Sequence, residues 1–67
     1  MLNNNLKLLR GIRQLNQQDV ANEVGITCSY YGMIEKGIRT PNLNIAYRLA
    51  KFFDTTIEQI FFFDKTT

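Results

Sequence analysis

Residues 16–36 read NQQDVANEVGITCSYYGMIEK, and the reading of this stretch decides the fold. Asn16 is a good helix N-cap, Asp19 three residues later can answer it, and Leu15 and Val20 stand at the spacing of a hydrophobic staple. Val20, Ala21 and Val24 then place apolar groups on one side at helical spacing. Gly25 stops this helix, because a helix end commonly turns through a residue that tolerates positive φ. Thr27 caps a second helix, with Ile26 and Tyr31 in the same staple relation. Two capped helices joined through Gly25 to Cys28 predict a helix-turn-helix over 16–36. On the second helix Tyr31 and Ile34 must face inward. Cys28, Ser29, Gly32, Met33 and Lys36 are then the outward set, with Tyr30 at its margin.

Outward from this pair, the chain reads as helix throughout. Leu6 and Leu9 are the expected core contacts of a first helix, with Asn3, Asn4 and Asn5 all open as its N-cap. Leu8, Ile12 and Leu15 make a second apolar row, either a broad buried face or a contact surface for another chain. Beyond Lys36, Gly37 ends the helix and GIRTP (37–41) forms a loop in which Pro41 pushes Thr40 towards extended geometry. Asn42 caps a fourth helix whose Leu43, Ala46, Leu49, Ala50 and Phe53 keep helical spacing, and Asp54 closes it. Thr56 with Gln59 predicts a capping box for a fifth, with Ile57, Ile60 and Phe61 pointing inward.

Composition excludes several classes of function. Sixty-seven residues predict one domain over 1–67, with a core small enough that oligomerisation would help it. One cysteine rules out an internal disulfide, and with no histidine a zinc site is not expected; no cofactor is expected either. No apolar run approaches about 18 residues and no signal pattern opens the chain, so a cytoplasmic protein with no membrane partner is expected. The absence of histidine, of a serine beside a base and of a glycine-rich phosphate loop argues against an enzyme. Five of the eight Lys and Arg but only three of the six acidic residues lie in positions 1–41, so the whole net charge of +2 falls there. That placement agrees with a nucleic-acid partner.

Gln17, Ala21, Gly25, Ile26, Thr27, Ile34, Glu35, Gly37 and Pro41 fit the pattern Q-x3-A-x3-G-[IV]-[ST]-x6-[IL]-E-x-G-x3-P. In this the chain resembles the Cro and phage-repressor (Xre-like) helix-turn-helix family. Leu6, Leu9 and Arg10 before the motif and IEQIF (57–61) after it extend the likeness over roughly the whole chain. The resemblance implies an all-α, five-helix domain of the lambda-repressor type that binds double-stranded DNA. Cys28, Ser29 and Met33 hold the positions that the family uses to read bases, and Gln17 one that contacts the backbone or an adjacent base. Arg10 and Glu35 match a family pair that forms a partly buried ion pair. Three positions depart from the pattern: Tyr31 stands where a smaller aliphatic residue is usual, Gly32 where a polar one is, and Asp54 where glycine is.

The DNA-facing assignment is therefore Cys28, Ser29, Met33 and Gln17 for bases, with Gln18, Tyr30, Lys36, Arg39 and Thr40 for the backbone. The outward face carries no arginine or asparagine for a bidentate base contact, so readout is expected to lean on DNA shape. The function expected is a sequence-specific transcriptional regulator, a small homodimeric repressor on a palindromic or pseudo-palindromic operator. Three consecutive phenylalanines exceed what one helical turn can bury, which places a dimer contact in segment 57–65 through Ile60, Phe61, Phe62 and Phe63. The competing expectation is a helix-turn-helix turned protein-interaction module, an antitoxin or adaptor with a protein partner.

Overall fold

The computed structural model describes residues 4–61. Five helices follow in order: α1 Leu6–Ile12, α2 Gln17–Val24, α3 Cys28–Glu35, α4 Leu43–Phe52 and α5 Ile57–Phe61. The described residues contain no strand. Phe62 and Phe63 lie outside them.

Local chemistry sets most of these boundaries. Asn16 Oδ1 accepts from the Asp19 amide at 2.8 Å while Asp19 Oδ2 accepts from the Asn16 amide at 3.0 Å, so the capping box that opens α2 is closed. Gly25 ends α2 at φ 79° and Gly37 follows α3 at the same φ, the left-handed region that a side chain disfavours. Thr27 Oγ1 caps α3 through the Tyr30 amide, and Asn42 Oδ1 caps α4 through the Ile45 amide. Thr56 Oγ1 accepts from the Gln59 amide, but Gln59 Oε1 turns to the Thr55 hydroxyl, so the box expected at α5 is half made. Asp54 takes φ 55° where the family more often has glycine, and Gln14 takes φ 58° in the turn after α1.

The core gathers Leu6 from α1, Val20, Ala21 and Val24 from α2, and Tyr31 and Ile34 from α3. Ile45, Ala46, Leu49 and Ala50 of α4, Phe53 after it, and Ile60 and Phe61 of α5 complete it. Each of the larger buried side chains contributes about 1.5–3 kcal/mol of hydrophobic stabilisation. One position of the expected α4 stripe is corrected, and the alternative left open for Leu8 and Ile12 is decided. Leu43 is 76% exposed, because the fourth helix turns Ile45 inward instead. Leu8 and Ile12 are 63% and 70% exposed, because α1 buries only the stripe of Leu6 and Leu9.

Side chains far apart in sequence tie the helix ends together. Asn4 Oδ1 accepts from the Leu6 amide and its Nδ2 donates to the Ile34 carbonyl at 2.9 Å, so one residue opens α1 and closes α3. Asn5 donates through its amide to Ile60 O and through Nδ2 to Gln59 O, holding α5 against the start of α1. Arg13 donates to Phe52 O at 2.8 Å with its guanidinium over the Phe52 and Phe53 rings. Arg48 donates to Val24 O at 3.2 Å. Both arginines put a cation at the negative end of a helix.

Candidate nucleic-acid interface

The α2–turn–α3 unit sits on the core through Val20, Ala21 and Val24 of α2 and Tyr31 and Ile34 of α3. Tyr31 and Ile34 are 0% and 1% exposed, which fixes the rotation of α3 about its axis. Ser29 and Lys36 are consequently exposed, and Gly32 and Met33 are half-buried on the same outward side. Cys28, expected in the outward set, is half-buried and packs against the core together with Tyr30. Cys28 is therefore only partly open to solvent.

The loop after α3 folds back on the helix it leaves. Gly37 N donates to Ile34 O, and Ile38 N and Arg39 N both donate to Met33 O, at 2.9 and 3.3 Å for the latter two. These bonds satisfy carbonyls that a helix end leaves free. They hold Lys36, Arg39 and Thr40, all exposed, beside the end of α3. Gln18, also assigned to the DNA backbone, is exposed on α2 and donates to Asn22 Oδ1 at 2.7 Å.

Behind α3 lies a polar cluster. Arg10 reaches from α1 to Glu35 with Nε to Oε2 at 2.9 Å and Nη2 to Oε1 at 3.0 Å, and its Nη1 donates to Leu15 O. Gln17 Nε2 adds a third bond to the carboxylate, at 3.1 Å from Oε1. Burial alone would push the Glu35 carboxyl up, but the hydrogen bonds from Arg10 and Gln17 outweigh it and hold the group below the usual carboxylate range. The bond to Glu35 in turn raises Arg10. Beside this cluster the fully buried Tyr31 hydroxyl makes no hydrogen bond among the described residues, and burial pushes its pKa well up.

The ion pair of Arg10 and Glu35 is thus formed, and Gln17 belongs to it. Nothing in local spacing signals that bond, to a residue 18 positions on. Ile60 and Phe61, expected both to point inward and to reach a dimer surface, are 0% and 5% exposed within the chain's own core, which leaves them little to offer a second copy. Among the described residues the large exposed apolar side chains are Leu8, Ile12, Ile38, Leu43 and Tyr47. None of the described helices is long and apolar enough to cross a membrane.

Comparison with known proteins agrees with this architecture. The helix-turn-helix family model matches residues 6–60. An uncharacterised HTH-type transcriptional regulator of Methanocaldococcus jannaschii is 38% identical over 63 residues, covering 94% of this chain and 96% of that protein. The cryptic phage CTXphi transcriptional repressor RstR of Vibrio cholerae is 37% identical over 60 residues, 90% of this chain but 54% of the repressor. Among solved structures, the restriction-modification controller protein C.AhdI of Aeromonas hydrophila superposes with a TM-score of 0.74 at 31% identity, over 81% of this chain and 82% of that one. With the motif, the five helices and these relatives in agreement, the chain belongs to the Cro and phage-repressor (Xre-like) helix-turn-helix family of DNA-binding transcription regulators.

Proposed function

We propose that this regulator is a small homodimeric repressor that lays α3 in the major groove of a two-half-site operator. The observation that carries the reading is the division of α3: Tyr31 and Ile34 are buried, while Ser29 and Lys36 stand out from the same helix. A helix seated this way presents its N-terminal residues to base edges, as a recognition helix does. Ser29, Met33 and the half-buried Cys28 face the bases. Lys36, Arg39 and Thr40 hold the phosphate backbone, the two cations supplying salt-dependent affinity and the threonine a neutral hydrogen bond. The family relative named as a phage repressor and the structural neighbour named as a controller protein support the regulatory role.

One observation favours a second reading. Leu8 and Ile12, one turn apart on α1, are exposed and suit a protein partner. Mobility shifts on a pool of duplex DNA at about 50 and 200 mM salt separate the two. A repressor shifts the pool at low salt and loses it steeply at high salt. A protein-interaction module gives no shift at either.

A further inference from the structure

Gly11 lies inside α1, where glycine is less favourable than alanine. A Cβ built there would meet no atom of the described residues within 4 Å, so no packing within the chain calls for a glycine at this position. Leu8, Gly11 and Ile12 stand at i, i+3 and i+4, neighbours on one helix face, and both apolar side chains are exposed. Together they make a shallow hollow with an apolar wall on each side. Leu8 and Ile12 are each two positions from Arg10, which sets them about 160° around the helix from it. Arg10 reaches Glu35 of α3, so the hollow is turned away from α3.

Charge decides what fits this hollow. Residues 1–18 carry Lys7, Arg10 and Arg13 and no acidic residue. Lys7, four residues before Gly11, is exposed on the rim, and Arg13 is exposed at the end of the helix. A second copy of α1 laid across the hollow would bring the same cations and no carboxylate to answer them, which opposes self-pairing. We propose that this face of α1 docks an acidic amphipathic helix of another protein. One apolar side chain of that helix seats over Gly11 between Leu8 and Ile12, as a knob enters a hole, and its carboxylates meet Lys7 and Arg13. The missing side chain at Gly11 lets the two backbones come close. Partner and duplex are held at the same time, and this point alone rests on α3 being the base-facing helix.

The test uses the full chain and a fluorescent synthetic helix of about 15 residues, long enough to keep some helical shape. It carries a leucine stripe flanked by glutamates, and a second probe has glutamine in place of every glutamate. Fluorescence anisotropy should show the acidic probe binding, with affinity falling as salt rises, and the glutamine probe binding about tenfold more weakly. Amide chemical-shift changes should centre on residues 7–13. Ile12→Ser and Gly11→Gln should each weaken the acidic probe by about tenfold, the first by removing a wall and the second by filling the hollow. Glutamine favours a helix more than glycine does, so Gly11→Gln should melt no lower than wild type and its loss of binding is not unfolding. Wild type holding a duplex selected from random DNA should bind the acidic probe as well as wild type alone. Failure of the acidic probe to bind, equal binding of the two probes, or shifts centred elsewhere would overturn the inference. So would a Gly11→Gln protein that binds like wild type, or a change of oligomeric state on Ile12→Ser, since the occupant would then be a second copy. Competition between duplex and probe would overturn the joint occupancy. Probe binding by a chain that selects no duplex would overturn the DNA reading and leave the docking face in place.

Discussion

Arg10 in α1 grips Glu35 in α3 through two parallel hydrogen bonds of 2.9 and 3.0 Å, across a separation of 25 residues in sequence. The geometry is the bidentate one that makes arginine–carboxylate pairs strong. With the Glu35 side chain 5% exposed and that of Arg10 17%, the pair lies between a surface ion pair and a fully buried one. Breaking it should cost about 2 kcal/mol, above the 1 kcal/mol of an exposed pair and below the 3–5 of a buried one.

Glu35→Gln should therefore lower the melting temperature clearly more than Glu23→Gln, whose side chain stands on the exposed face of α2. The difference should depend on pH. Because the folded pKa of Glu35 is held below its ordinary 4.5, its stabilisation is full above that value and is lost as pH falls through the lower folded one. Denaturant titrations of both proteins at neutral pH and at several points below 4.5 check this. The gap between wild type and Glu35→Gln should close towards the acid end.

Much of this framework was legible because caps are local. Asn16, Thr27, Asn42, Gly25 and Gly37 announce helix ends within four residues of themselves, and the structure uses all five as the sequence indicates. The end of α1 carried no such mark. Gln14 turns the chain at positive φ without being glycine, so Leu15 read as a continuation of the Leu8–Ile12 row. Arg13, Arg48, Asn4 and Asn5 close helices 24 to 54 residues away, and no spacing rule reaches that far. On the reading face, the outward set followed from Tyr31 and Ile34. The fate of Gln17 did not, because its bond runs to Glu35, 18 residues on.

Arg13→Ala tests one of those long-range caps. It removes a charged hydrogen bond to Phe52 O and the cation above the Phe52 and Phe53 rings. The expected cost is about 1 kcal/mol, since Arg13 is exposed and solvent competes for it. For a domain of this size that lowers the melting temperature by roughly 4–8 °C. DNA affinity measured well below the melt should be unchanged, because Arg13 sits at the α1–α4 end and not on α3.

The proposed dimer is tested at the two phenylalanines that follow α5. Ile60 and Phe61 are occupied in the core, so Phe62 and Phe63 are the members of the aromatic run assigned to a second copy. Sedimentation of wild type at micromolar concentration should give a dimer, and Phe62→Ser/Phe63→Ser a monomer with the same helix content. A monomeric wild type would remove the C-terminal contact from the proposal.

Lys36→Ala addresses the hold on the DNA backbone. Lys36 is exposed at the end of α3, where a phosphate would neutralise it. The substitution should weaken binding by a similar factor on every sequence and reduce the slope of log K against log salt by about one for each phosphate no longer neutralised. A weakening confined to particular base changes would instead make Lys36 a base reader.

The central claim is that two copies of α3 read two half-sites on one face of the duplex, and repeated selection of bound duplexes from a random library tests it most directly. The enriched sequences should contain two inverted half-sites whose centres lie about 10 base pairs, or 34 Å, apart or a multiple of that. Enrichment of one unpaired half-site would contradict the dimeric arrangement, and no enrichment at all would contradict the assignment of α3 to DNA.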